Sequence, residues 1–267
     1  MASNVSISPN HRSTIRVILD RLPTVVMTVL VYPMLVCWTL LGILLFPFAF
    51  VLWKVVTRWS PGRIMRHFIW LYGRGWVLIA SPFVRFRREG LEHLRLTRPS
   101  IIVVNHLSFF DTYCMALLPF HDVTFAVRSW PFRMFWYGRF MRIAEYLDVE
   151  SSDWDAIVST ASKTLGQGGH LLFFPEGHRS RDGRLQRFYS GAFRLAAETG
   201  VPLVPLCITG TDRLLPPGRT WLQPTTVTLR ALQPVDSQAF GYPEGHRDLL
   251  RSVKQAMAKN ISQMTGR

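Results

Sequence analysis

The chain has 267 residues, 48% of them hydrophobic, with a mean hydropathy of +0.15; this length holds one sizeable α/β domain plus an appendage, or two small domains. A formal net charge of +14 calls for an anionic partner: nucleic acid, a membrane surface, or an acidic protein or substrate. Cys37, Cys114 and Cys207 form no C-x-x-C, which argues against a disulfide framework and a thiolate zinc site and favours a reducing, cytoplasm-facing location.

Residues 1–23 are polar and carry Arg12, Arg16 and Arg21. From Thr24 to Trp53 no side chain is charged, a run of 30 residues against the roughly 20 that cross a hydrocarbon core. Pro33 and Pro47 interrupt it, and Lys54, Arg58, Arg63 and Arg66 follow. With both flanks basic, the segment is expected to enter and leave on one side, as two short helices of a re-entrant or interfacial anchor; a tilted single span is the competitor. A cleaved signal peptide is shorter and ends in small residues, and a core helix of this length carries a polar face. Residues 64–84 mix aromatics with Arg66 and Arg74 and read as a second membrane-facing or linking helix. The expected organisation is a polar segment 1–23, anchoring helices 24–84 and a domain 85–267.

Beyond Arg85 short apolar runs alternate with helical stretches. Strands are expected at 101–104, 123–127, 145–149, 170–174, 203–208 and 225–232. Helices are expected at 108–118, 132–143, 153–166, 190–199 and 244–263. This alternation predicts an α/β fold with a largely parallel mixed sheet flanked by helices, behind an N-terminal hydrophobic helical anchor.

Two of these strands end in polar clusters. IIVVNHLSFFD (101–111) runs from four β-branched residues into Asn105, His106 and Asp111. Ser108 and Asp111 fit a capping box, and at a strand's carboxyl end the same aspartate can orient an imidazole that serves as a base. No G-x-S-x-G accompanies them, and the one nearby cysteine, Cys114, lies inside the following helix; the substrate's own hydroxyl is then the nucleophile. LLFFPEGHRSRDGRL (171–185) stops at Pro175-Glu176-Gly177 and presents His178, Arg179, Ser180 and Arg181, a glycine for close backbone approach and arginines for an anion. In a parallel sheet both clusters share one edge. A third stretch, TGVPLVPLCITGTD (199–212), has two prolines at a strand start, which reads as a short or near-edge strand.

N-H-L-S-F-F-D, F-P-E-G-H-R-S and V-P-L-V-P together resemble, in order and spacing, the motifs of the glycerolphosphate and lysophospholipid acyltransferase family, closest to the bacterial 1-acyl-glycerol-3-phosphate acyltransferases, over about residues 85–212. The resemblance implies that His106 is the general base, that Asp111 orients it, and that Glu176, Gly177, Arg179 and Ser180 bind the acceptor. Asn105, Ser108, His178 and Arg128 are possible supporting residues. It also implies acyl-CoA or acyl-carrier protein as co-substrate, no metal or prosthetic group, membrane lipid as partner, and the bacterial inner membrane as location, the domain facing the cytoplasm. The implied reaction acylates lysophosphatidic acid to phosphatidic acid. Two departures stand out. The family usually has threonine at His178, and it often carries an arginine where this chain reads AEYLDVESSDW. Arg128, Arg139 or Arg142 would have to supply that contact, which leaves another lyso-lipid acceptor (a lyso-ornithine lipid, a lysophospholipid with a head group, a glycolipid) as the alternative.

Three other classes fit less. Nucleic-acid binding leaves 24–53 unexplained and no known module is present. A metal hydrolase built on His106, Asp111, His170, His178 and Glu176 lacks H-E-x-x-H. A non-catalytic membrane-anchored interaction protein leaves the two polar strand ends without a purpose.

Overall fold

The computed structural model describes residues 9–96, 99–135, 137–216, 218–241 and 245–266, and the side chains from residue 21 onward except 95 and 96. Two long helices come first, α1 (Pro9–Thr57) and α2 (Pro61–Ala80). Then follow β1 (Val84–Glu89), α3 (Glu92–Leu96), β2 (Ser100–Val104), α4 (Asp111–Cys114) with a 3-10 turn at Met115–Leu117, and β3 (Val123–Val127). Next come α5 (Ser129–Phe132), α6 (Tyr137–Ile143), β4 (Leu147–Asp148), α7 (Trp154–Gly166) and β5 (His170–Phe173). The chain continues through α8 (Gly191–Thr199), β6 (Leu203–Thr209), α9 (Thr211–Leu214), β7 (Thr225–Ala231) and α10 (His246–Thr265).

The seven strands form one sheet in the order β1-β7-β6-β2-β5-β3-β4. All neighbours run parallel except β6 and β7. The expected mixed, largely parallel sheet is therefore present, with β2 and β5 side by side. Side chains alternate between its faces. Ile102 and Val104 join a core with Trp76 and Ala80 of α2 and Met27 and Val31 of α1, whereas Ile101 and Val103 pack with α7, α8 and α10 through Ile157, Phe193 and Val253.

Three expectations need correction. The 24–53 segment is not two short helices: α1 is continuous and carries Pro23, Pro33 and Pro47 within it. Each proline removes one hydrogen bond, but α1 is braced along its length. Trp38 lies over Gly75 of α2, where a Cβ would come within 2.3 Å of its ring, and its Nε1 donates to Tyr72 O. Tyr32 Oη donates to Thr220 O at 2.7 Å. The outward face stays bare, with Leu44 65% and Phe48 75% exposed. The most apolar stretch of Arg21–Thr57 has mean hydropathy 2.5 and no buried residue, so α1 is a candidate membrane anchor and no core helix.

The helices expected at 108–118 and 132–143 are shorter and broken, α4 with its 3-10 turn and α5 followed by α6. The strand at 203–208 lies next to the sheet's centre, between β2 and β7, despite Pro205. Leu203 N points towards Val235 O, so the nitrogen of Pro205, two residues on, faces the same side. There β7 has ended at Ala231, Pro205 O still accepts from Leu232 N at 2.9 Å, and the proline leaves out a single donor at the end of the ladder. β1, with its four charged residues, was not anticipated.

Candidate active site

β2 delivers Asn105 and His106 at its carboxyl end, and the short α4 begins with Asp111. Asp111 is fully buried. Its Oδ2 accepts from His106 Nδ1 at 2.7 Å, from Leu107 N at 2.6 Å and from Ser108 N at 2.8 Å. The expected capping box is not formed, since the N-cap of α4 is Phe110 and makes no side-chain cap bond; the carboxylate still reaches back to Ser108 N and holds the imidazole. Its Oδ1 accepts from Thr211 Oγ1 at 2.5 Å. The charge is thus met by four donors, none of which is a permanent cation.

The His106 ring stacks on Phe174 with centroids 4.3 Å apart, and 17% of its side chain stays exposed. With Nδ1 engaged, Nε2 is the nitrogen open to a substrate. Asn105 is buried and exchanges two hydrogen bonds with Ile208 of β6, at 2.9 and 2.8 Å, so its side chain extends the β2–β6 pairing by one step. Cys114 is fully buried, and burial, then the charge of Asp111, pushes its thiol well above the usual range; such a thiol is no nucleophile.

The 174–186 loop docks on His106 through its backbone. Glu176 is buried and its two oxygens accept from His106 N at 2.7 Å and Gln186 N at 2.8 Å. Burial raises its pKa, and those two backbone donors only partly offset it. Ser180 N donates to His106 O at 2.8 Å, and Ser180 Oγ turns inward to Asp182 and to Arg184 O. Gly177 has φ +68°, and a Cβ there would lie 2.8 Å from the Tyr189 ring. His178 and Arg179 are exposed on the turn that follows.

The clusters expected to share an edge do so. Glu176 and Ser180 brace His106 from within, and His178, Arg179 and Arg181 are the members of the second cluster that face solvent. Arg128, at the carboxyl end of β3 and two strands from β2, is paired with Glu150 at 2.5 Å. The constellation a metal hydrolase would need is not assembled, because His170 opens β5 at the opposite edge and bonds Ser100 Oγ. Thr211 and Phe174 were not singled out from sequence. Phe174 continues an apolar run and carries no separate signal; Thr211 lay inside the quoted 199–212 stretch but is 100 residues from its partner.

A family model described as Acyltransferase matches residues 85–209. A chloroplast 1-acyl-sn-glycerol-3-phosphate acyltransferase of Arabidopsis thaliana is 35% identical over 161 residues, 58% of this chain and 44% of that protein. One from Chlamydomonas reinhardtii is 30% identical over 208 residues, 74% of this chain and 59% of its own. The alpha 1-acyl-sn-glycerol-3-phosphate acyltransferase of Mus musculus is 28% identical over 203 residues, 73% of this chain and 66% of its own. The chain spans 44–46% of the two chloroplast relatives from Arabidopsis thaliana and Brassica napus. The crystal structure of the 1-acyl-sn-glycerophosphate acyltransferase PlsC from Thermotoga maritima superposes with a TM-score of 0.74 at 22% identity, over 91% of this chain and 97% of that one, and shares the fold. Residues 85–209 are thus the part of the chain that is similar to the acyltransferase family.

Proposed function

We propose that the protein transfers a fatty acyl group from a thioester donor, acyl-CoA or acyl-carrier protein, to the free hydroxyl of lysophosphatidic acid, forming phosphatidic acid. The observation that carries this reading is the His106–Asp111 pair at the carboxyl edge, with Nδ1 held at 2.7 Å by a buried carboxylate and, among the described residues, no cysteine nucleophile beside it, Cys114 being buried. Asp111 fixes the tautomer in which Nδ1 carries the proton. Nε2 takes the proton of the acceptor hydroxyl as its oxygen attacks the thioester carbonyl. The carbon–sulfur bond then breaks, and the imidazolium returns the proton to the departing thiolate. No metal or prosthetic group enters this scheme.

Glu176, Gly177 and Ser180 act as the frame of the site, and Arg179 and His178 meet the acceptor's phosphate. Residues 85–267 form the catalytic domain. Residues 24–84 rest on it as an anchoring pair whose bare α1 face enters lipid. The three free cysteines fit a domain on the reducing, cytoplasmic side of that membrane. One observation favours the second acceptor class: Arg128, a candidate for the missing phosphate contact, is already engaged by Glu150. A head group bearing an amine would meet a carboxylate there.

The test is acyl transfer from labelled acyl-CoA to a panel of lyso-lipids by detergent-extracted protein, with His106→Ala alongside. Transfer to lysophosphatidic acid is expected, reduced about 10²–10⁴-fold in a folded mutant. Near-parental turnover in His106→Ala would end the mechanism, and transfer confined to another lyso-lipid would move the acceptor and keep the chemistry.

A further inference from the structure

The stretch TGVPLVPLCITGTD supplies neither a base nor an acceptor ligand in this scheme, yet its end closes the site from below. β6 ends at Thr209, and Gly210 adopts φ +91°. A Cβ there would lie 2.1 Å from the Thr226 carbonyl oxygen of β7, so only glycine makes this turn. The turn places Thr211, fully buried, with its Oγ1 2.5 Å from Asp111 Oδ1. The strand carrying it is locked to β2 by the paired hydrogen bonds of Asn105 and Ile208.

We propose that Thr211 is a positioning residue for acyl transfer: its hydroxyl donates to Asp111 Oδ1 and so keeps Oδ2 turned to His106 Nδ1. A carboxylate with no exposed surface must have both oxygens satisfied. Oδ2 already serves His106 Nδ1, Leu107 N and Ser108 N, and among the described residues Thr211 supplies the side-chain donor to Oδ1. Without it, the carboxylate gains by rotating or by taking a proton, and either change loosens its hold on the imidazole. A neutral hydroxyl suits this place better than an arginine or lysine, because a cation would take up the charge that the forming imidazolium needs. Being buried, Thr211 touches no substrate and acts only through Asp111. The inference rests on the reading of His106 as base.

The experiment measures turnover and acceptor KM of the full chain in detergent, with labelled acyl-CoA and lysophosphatidic acid, for Thr211→Val, Thr211→Ser, Asp111→Ala and Thr211→Val combined with Asp111→Ala. Thr211→Val is expected to lower kcat on the order of 10–100-fold, as one hydrogen bond to a charged group is lost, with KM within about twofold. Thr211→Ser is expected to stay within about threefold of the parent. In the Asp111→Ala background the valine should cost less than about twofold more, since its route to the imidazole is gone. Parental turnover in Thr211→Val, a serine variant as poor as the valine one, or a valine loss undiminished without Asp111 would each overturn the proposal. Should Thr211→Val fold poorly, Thr211→Ala set against Thr211→Ser repeats the comparison, as they differ by one hydroxyl; equal turnover in these two overturns it. His106→Ala, run in parallel, separates the two failures. Activity there sinks the base itself, whereas an inactive His106→Ala beside a fully active Thr211→Val sinks only the role of Thr211.

Discussion

Two glutamates near opposite edges of the same sheet are held in opposite ways. Glu176, at the carboxyl edge, accepts from two backbone N–H groups among the described residues, and burial raises its pKa. Glu145, at the amino edge, is also pushed up by burial, but hydrogen bonds and charge from Lys163 and Arg66 more than reverse this and its pKa is lowered. The contrast extends to the aspartates. Asp111 meets backbone, imidazole and hydroxyl donors, whereas Asp122 is clasped by the buried Arg66 at 2.7 Å. A carboxylate already neutralised by a guanidinium has little charge left to lend to a reaction. One held by N–H and O–H groups keeps its charge available, at the expense of stability. On the proposed mechanism the carboxyl edge serves the chemistry, and the ion pairs of the amino edge hold α2 and α7 to the sheet.

The largest expected effect breaks the reactive edge. Asp111→Asn should lower kcat by about 10³–10⁴-fold, the scale seen when an orienting aspartate is replaced and the imidazole takes the wrong tautomer; a folded variant that keeps a tenth of parental turnover would refute the assignment. The counterpart is Arg66→Met, which leaves Asp122 with Arg63 at 3.3 Å as its ion-pair partner among the described residues. Removing one partner of a buried pair costs up to about 3–5 kcal/mol, of which Arg63 offsets a part, so the midpoint of denaturation should fall while turnover per folded molecule stays within about threefold. Lost turnover with an unchanged midpoint would reverse the division of labour between the edges. Asn105→Ala lies between these cases. It leaves the Ile208 N–H and carbonyl without their side-chain partner, which costs about 1–3 kcal/mol, and it loosens the strand end next to His106. Stability and turnover should fall together, and a change in only one would show that Asn105 belongs to a single task.

Much of this arrangement was legible because its signals are local. His106 and Asp111 are five residues apart, and the strand before them announces itself by four β-branched side chains. Most of the expected strands lie within a residue or so of where the structure has them, since buried parallel strands read as short apolar runs. What stayed hidden depends on distant partners. The family resemblance makes Glu176 an acceptor ligand, and its bonds to the backbone N–H groups of His106 and Gln186 leave no signal in the sequence. Thr211 is 100 residues from Asp111 and sits in a stretch whose prolines drew the attention. β1 escaped notice because VRFRRE has too few apolar residues to stand out. The continuity of α1 through three prolines is supported by α2 and by Thr220 and Leu222 beside it, contacts that no window along the chain contains.

The smallest effect is a difference in slope, and it tests the comparison most directly. Ionised Glu145 favours the fold, so its contribution is fully present above its unfolded pKa and fades as pH falls through its lower folded value. Glu176 behaves oppositely. Its folded pKa is raised, so the folded state holds the proton more tightly, and the penalty for ionising it grows as pH rises from the unfolded value through the folded one. Melting midpoints of the parent, Glu145→Gln and Glu176→Gln, followed from about pH 7 down to about pH 4 across the ordinary carboxylate range, read both. As pH falls, the parent's advantage over Glu145→Gln should shrink, whereas its standing relative to Glu176→Gln should improve. Each glutamine also changes hydrogen bonding by an amount independent of pH, so the slope carries the information and the offset does not. The Glu145 effect should stay below about 1 kcal/mol, because Lys163 is largely exposed and solvent screens the pair. Two slopes of the same sign would mean that the edges differ in layout but not in electrostatics, and Asp111 would then need another source for the charge it offers His106.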